Sequence, residues 1–346
     1  MAHSKAAQQG KTHEFWVGFQ HGTSTKEIEA ELTKLLTKAY GAELTLPDFN
    51  SALTASEQGC YVLLEVAQPL SGAGREALRS AVLNGALNCD VWYDPFPNFY
   101  HGEAAVHGSA VVMDMDMTSV QIEGIDEIAR RLGVYEQVAA ITEQAMQGHL
   151  DFSQSLQKRV ALLQGGNAQQ VLADVRAHMP WTPGLDQLIT EMDTARQAND
   201  KTQFCVASGG FHNLIAALDE HAHYNQIAAN RLEVDASGHF TGKVSGPIVD
   251  GQAKAALVRS LKEQNQIAQA QIIVVGDGAN DLIMMAEGGF ALAYHAKPKV
   301  QAQEHNLINH CDLTMLAARI KLDQAAQPET LVAPGAQVGF SVVTVA

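Results

Sequence analysis

From residue 110 onward the chain alternates short apolar runs with helix-length stretches, and this alternation limits the fold more than any other feature. Runs at 110–113, 203–207, 272–275 and 290–293 read as strands, and 124–178, 184–198, 211–221, 252–264 and 279–286 as helical. Strands separated by helices close into a parallel sheet through right-handed crossovers. The expected class is therefore α/β, with a Rossmann-like parallel sheet. The helical block at about 124–180 follows the first strand directly and is expected to cap the strand ends. A hairpin is expected around 236–238.

Residues 14–93 read differently. A strand at 15–19 precedes an amphipathic helix at 25–39, with Ile28, Leu32, Leu35 and Leu36 on one face. A strand at 61–66, a helix at 75–83 after the Gly72/Gly74 break and a strand at 89–93 follow, with a weaker strand at 43–46. This order suggests a small N-terminal α+β domain of the split βαβ kind. Residues 94–109 read as a linker, since Pro95 and Pro97 interrupt regular structure. The aromatics of 92–100 have no basic residue interleaved, so a nucleobase-stacking platform is not expected. Residues 1–13 read as a disordered tail, 110–317 as the main domain, and 318–346, with Pro328 and Pro334, as a weakly held extension.

Charge excludes several partners. There are 23 Lys plus Arg against 38 Asp plus Glu, a net charge of −15, which disfavours nucleic acid and anionic membrane. No run approaches the roughly 18 apolar residues of a membrane span, and residues 1–12 lack the apolar core of a secretory signal. Cys60, Cys89, Cys205 and Cys311 form no CxxC pair, so reduced thiols in the cytoplasm are expected. The histidines lack metal-ligand spacing. Oligomeric state is open, with a homodimer as one option.

Four features carry chemistry, and all fall at one edge of the expected sheet. Met113-Asp114-Met115-Asp116-Met117-Thr118 sets two carboxylates at the end of the first strand, where open α/β sheets bind ligands. Ser208-Gly209-Gly210 ends a second strand and, opening a helix, would offer a hydroxyl and free N–H groups to an anion. Gly276-Asp277-Gly278-Ala279-Asn280-Asp281 clusters carboxylates suited to Mg²⁺. Lys254 supplies a cation near the start of a helix. Three of the four have a plain alternative: a capping Asp, an N-cap Ser, a solvated Lys. Together they provide a nucleophile, an anion cradle, a cation and a metal site, as phosphoryl transfer requires.

With these motifs in order over about 110–316, the chain resembles the haloacid dehalogenase-type phosphohydrolases, and among them the branch that hydrolyses phosphoserine. The likeness extends into the cap through Glu123-Gly124-Ile125-Asp126, Glu143-Gln144-Ala145-Met146, Phe152-Ser153-Gln154-Ser155-Leu156 and Lys158-Arg159-Val160. It departs at Met115 and Met117, where the family often has Phe and Ser.

The resemblance implies an enzyme of the last step of serine biosynthesis. Asp114 would form an aspartyl-phosphate, and Asp116 would serve as general acid and then base. Mg²⁺ would be held by Asp114, the backbone carbonyl of Asp116, and Asp277, with Asp281 close behind. Ser208, Gly209, Gly210, Lys254 and Asn280 would hold the phosphate. Glu123 would face the substrate ammonium, Arg159 its carboxylate, and Met146 and Phe152 would exclude water. Without the resemblance, Glu123 reads as a helix N-terminal acid, Arg159 as a surface ion pair, and Met146 and Phe152 as core. The N-terminal domain is similar to small amino-acid-binding regulatory domains, of the ACT-like type, in element order alone. Two further readings stay open: another small phosphomonoester as substrate, or an amino-acid-sensing protein with an idle core.

Overall fold

Three strands, largely buried, belong to the first part of the chain. In the computed structural model, which describes residues 13–20, 22–41, 46, 49, 60–66, 69–304, 306–324 and 338–342, β1 (His13–Phe19) pairs antiparallel with β2 (Cys60–Val66) and with β3 (Asp90–Trp92). Between them lie α1 (Thr25–Tyr40) and α2 (Gly72–Leu83). Ile28, Leu32 and Leu36 of α1 form a buried stripe at helical spacing, in one core with Phe15, Val17, Leu64 and Leu78. Helix α2 starts earlier than the sequence suggests. Ser71 Oγ accepts the Gly74 N–H, so both glycines lie inside the first turn rather than before it. Of the strand expected at 43–46, residues 43–45 lie outside the described residues, as do 1–12 of the expected tail.

By its internal contacts the chain divides into two units, Met1–Phe96 with His305–Ala346, and Pro97–Glu304. The division at Phe96 falls within the stretch read as a linker.

The second unit begins with α3 (Ala104–His107) and β4 (Ala110–Met113). The cap follows as α4 (Gly124–Arg131), α5 (Tyr135–Met146), α6 (Phe152–Ala161) and α7 (Ala168–His178). Then come α8 (Leu185–Ala198), β5 (Gln203–Phe211), α9 (His212–Ala222), β6 (Gln226–Asn230) and a hairpin of β7 (Leu232–Val234) and β8 (Phe240–Val244). The unit closes with α10 (Gly251–Glu263), β9 (Ile272–Gly276), α11 (Leu282–Met285), β10 (Phe290–Tyr294) and α12 (Pro298–Gln301).

Its strands run in the order β10-β9-β4-β5-β6, every neighbouring pair parallel. All residues of β4 and β9 are buried, which is why these strands read as continuous apolar runs rather than alternating ones. The expected α/β class with a helical cap holds. The chain leaves β4 on one side toward β5 and returns on the other as β9, so the sheet's switch point lies at the carboxyl end of β4. The hairpin is tied to the cap, where Gly165 N–H donates to Phe240 O, and Phe240 N–H to Gly166 O.

Beyond Glu304 the chain supplies β11 (Asn306–Ile308), α13 (Thr314–Leu322) and β12 (Val338–Val342). These belong with the first unit; of the stretch 318–346, read as a weakly held extension, the described residues are 318–324 and 338–342, which hold the end of α13 and β12. Strand β12 pairs antiparallel with β2, giving the sheet order β12-β2-β1-β3. Trp16 Nε1–H donates to Met315 O, Trp92 Nε1–H to Leu307 O, and Arg319 pairs with Glu14 and Asp323. Cys89, Cys205 and Cys311 are buried free thiols. Among the described residues no helix is long and apolar enough to cross a membrane.

Candidate active site

Because β4, β5 and β9 are parallel neighbours, the residues at their carboxyl ends converge. Asp114 follows β4, and its N–H donates to Val275 O in β9. Its Oδ1 accepts the Met115 N–H at 2.7 Å and lies 2.9 Å from Lys254 Nζ. That anchors one carboxylate oxygen and leaves Oδ2 unengaged among the described residues.

Lys254 is fully buried on α10, whose N-cap Asp250 accepts the Ala253 N–H. Its ammonium also donates to Asp281 Oδ1 at 2.7 Å. Burial alone would lower its pKa, yet Asp114 and Asp281 hold it above the ordinary lysine range. The solvated alternative is excluded by this geometry.

Asp277 and Asp281 stand in the turn after β9. Helix α11 is shorter than the expected 279–286, because the turn itself wraps the carboxylate: the Gly278 N–H donates to Asp281 Oδ2 at 3.0 Å. A Cβ on Gly276 would fall 2.6 Å from the Asp281 carboxyl carbon, so only glycine admits this approach. Asp114, Asp277 and Asp281 each offer an oxygen, all within 4.8 Å of one another and all buried, a cluster that could hold a metal ion. The Asp116 carboxylate is not part of it; the resemblance assigns that residue's backbone carbonyl instead. Burial, then Asp114, pushes Asp281 up to about 7. Burial also raises Asp277, and burial with the Glu123 and Asp114 charges holds Asp116 well above the carboxylate range.

The Ser208-Gly209-Gly210 segment departs from the expected strand-to-helix turn. It lies within the end of β5, and α9 starts only at His212. The ladder with β6 is irregular between Ser208 and Phe211. Ser208 Oγ accepts the Gly210 N–H at 2.9 Å, which leaves the hydroxyl proton available to a ligand. A Cβ on Gly210 would lie 2.8 Å from Asp116 Oδ2.

These residues open on a cavity of about 180 Å³. Asp114, Asp116, Ser208, Gly209, Gly210, Asp277 and Asn280 line it from the sheet edge, and Glu123, Phe152 and Arg159 from the cap. Glu123 is the N-cap of α4, but its side chain makes no capping hydrogen bond. Arg159 is half-buried, and among the described residues no carboxylate lies within ion-pair distance of it, contrary to the surface-pair alternative. Burial lowers its pKa, with Glu123, Asp126 and Asp116 opposing. Met146 does not take its expected place: it is 79% exposed at the end of α5 and does not line the cavity.

Three lining residues were not anticipated: Ile125, Leu156 and Lys297. Lys297 matters most. Its N–H donates to Asp277 O, and its Nζ lies 3.1 Å from Asp277 Oδ2 and 3.6 Å from Glu123 Oε1. The available signal was its place just beyond a fourth strand of the same sheet.

Comparison with known proteins decides the family. The family description "haloacid dehalogenase-like hydrolase" matches residues 111–286, from within β4 to the residue that follows α11. The chain belongs to the haloacid dehalogenase-like hydrolases. It is 40% identical over 226 residues to a phosphoserine phosphatase of Vibrio cholerae serotype O1, covering 63% of this chain and 67% of that one. It is also 40% identical over 282 residues to a phosphoserine phosphatase of Saccharomyces cerevisiae, covering 81% of this chain and 87% of the relative. A crystal structure of a probable phosphoserine phosphatase from Vibrio cholerae, in unliganded form, superposes with a TM-score of 0.67 at 30% identity, covering 90% of this chain and 88% of that one. As a member of this family the chain is a hydrolase, and the family's matched segment contains every sheet-edge residue named above except Lys297.

Proposed function

We propose that this chain hydrolyses O-phospho-L-serine to L-serine and phosphate, with Mg²⁺ bound at Asp114, the backbone carbonyl of Asp116, Asp277 and Asp281. The observation that carries the reading is a cavity lined both by a nucleophile set and by two opposite charges from the cap, Glu123 and Arg159. The donor set fits the metal: buried carboxylate oxygens are the ligands a hard divalent ion prefers. When bound, the ion offsets the charge of the phosphate dianion beside the carboxylates.

The chain's own residues supply the rest. Asp114 Oδ2 attacks phosphorus while Oδ1 stays tethered by Met115 N–H and Lys254, so the carboxylate is aimed before substrate arrives. The bond from phosphorus to the seryl oxygen breaks, and Asp116 passes its proton to that oxygen. Asp116 suits the task because burial and neighbouring carboxylates favour its protonated form. Asp116 then takes a proton from the water that attacks phosphorus, the bond to Asp114 breaks, and phosphate leaves. Ser208, the Gly209 and Gly210 backbone, Lys254 and Asn280 hold the phosphate oxygens. Arg159 grips the substrate carboxylate with its two-pronged fork, and Glu123 takes the ammonium in exchange for Lys297. Phe152 shields the cavity from water.

The names of the relatives and the cap pair support phosphoserine over other small phosphomonoesters. The intact Asp114, Lys254 and Asp277 set speaks against an idle core. The reading carries with it a cytoplasmic role at the end of serine biosynthesis. The test is release of phosphate from phosphoserine with Mg²⁺, with chelator, and after Mg²⁺ is restored. Activity should vanish with chelator and return with the metal; full activity in chelator excludes the mechanism.

A further inference from the structure

Asn230, the last residue of β6, is fully buried and touches neither the cavity nor the carboxylate cluster. Its amide is nevertheless fully used. Nδ2 donates to Gly209 O at 2.8 Å and to Val249 O at 3.1 Å, while Oδ1 accepts the Val249 N–H at 2.8 Å. The orientation is forced, because Val249 N–H can only donate and the two carbonyls can only accept.

These partners belong to two separate pieces of the site. Gly209 lies in the irregular stretch where β5 leaves its ladder with β6, so its carbonyl is met by a side chain instead of a strand partner. Val249 directly precedes Asp250, the N-cap of the helix that carries Lys254, and Lys254 N–H donates to Asp250 O. One amide thus joins the backbone of the Ser208-Gly209-Gly210 segment to the base of the Lys254 helix.

We infer that Asn230 is a positioning residue for phosphate. It sets the Gly209 peptide and the Lys254 helix in mutual register, so that the N–H groups of one and the ammonium of the other address the same oxygens. The inference rests on the phosphatase reading and names a residue outside its contact set. A side chain with three backbone hydrogen bonds and no rotational freedom does this without entering the cavity. The metal cluster stands on β4 and the turn after β9, and Asn230 bonds none of its carboxylates; Lys254 reaches Asp114 and Asp281 only through its flexible side chain.

The test uses the full-length chain, with inorganic phosphate and Mg²⁺ as separate titrants followed by calorimetry. Asn230→Ala removes all three bonds. Asn230→Asp keeps the shape and the acceptor for Val249 N–H but turns an oxygen toward two carbonyls, so it separates loss of the donor from loss of packing. In both, the dissociation constant for phosphate at saturating Mg²⁺ should rise by about tenfold or more, as expected for losing a buried hydrogen bond that sets geometry. Mg²⁺ binding in the absence of phosphate should stay within about twofold of wild type in the same variants. Unchanged phosphate affinity in Asn230→Asp overturns the inference, and so does a parallel loss of Mg²⁺ affinity, which marks general damage. A wild-type chain that binds Mg²⁺ but no phosphate overturns the phosphatase reading itself.

Discussion

Both units bury carboxylates, and they treat them in opposite ways. In the first unit Asp90 is fully buried on β3 and accepts the N–H groups of Asn309, His310 and Cys311 at 2.9, 2.9 and 2.7 Å. Burial still raises its pKa, but three donors pull the other way and every one comes from fixed backbone. In the second unit Asp114 and Asp281 share one buried lysine, and Asp277 shares a half-exposed one with Glu123. A buried charge whose partners are complete holds structure together; a cluster left short of positive charge is waiting for a ligand. The difference separates a structural carboxylate from functional ones without reference to any relative.

The contrast can be broken most severely at Asp114. Asp114→Asn should lower phosphoserine turnover by at least about a thousandfold, the scale of losing a nucleophile. Its melting temperature should hold or rise, because the change relieves repulsion with Asp281 and Asp277. Phosphate release from phosphoserine checks the first half and thermal unfolding of the variant the second; a large drop in stability would place Asp114 with Asp90.

Arg159→Ala sharpens the cap side. Removing one partner of a desolvated, charge-assisted pair costs about 2–5 kcal/mol, or roughly thirtyfold to a few thousandfold in kcat/KM for phosphoserine. An aryl phosphate without a carboxylate should lose far less, since Asp114 and Asp116 are untouched. Equal losses for both substrates would make the residue structural.

The smallest effect on activity belongs to Asp90. Asp90→Ala takes the shared acceptor from three N–H groups, that of Cys311 buried and those of Asn309 and His310 half-buried, and should cost about 2–4 kcal/mol of stability in the unit that holds it. Trp16 and Trp92 lie in that unit, so their fluorescence in a denaturant series reports the loss. At temperatures where the variant is folded, kcat/KM should stay within about twofold of wild type. A collapse of activity there would show that the two classes of carboxylate are not separable.

How much of this was legible in the sequence follows the same division. The site announced itself because polar residues directly follow fully apolar strands, as Asp114 follows 110–113 and Asp277 follows Gly276. Strand β6 was missed because Gln226-Ile227-Ala228-Ala229-Asn230 lies only half-buried and carries a single β-branched residue. With it went Asn230, whose partners are peptide groups that no side-chain pattern encodes. Helix α13 was missed for a different reason: eight of its nine residues are buried, so it has no polar face and no stripe to read. Its buried Arg319 is neutralised by Glu14, a residue 305 positions earlier. Met146 was misplaced because a resemblance transfers residue type along the chain, while the exposure of α5 depends on how the cap packs.

The central claim is that phosphorus passes through Asp114, and trapping the intermediate tests it most directly. The chain is mixed with phosphoserine labelled in its phosphate and Mg²⁺, quenched in acid within the first turnover, and digested for mass spectrometry. The account predicts an acid-stable phosphoryl group on the peptide containing Asp114, absent in Asp114→Asn and absent when chelator replaces the metal. Turnover of phosphoserine with no label on the protein, or with label on any other residue, would contradict it.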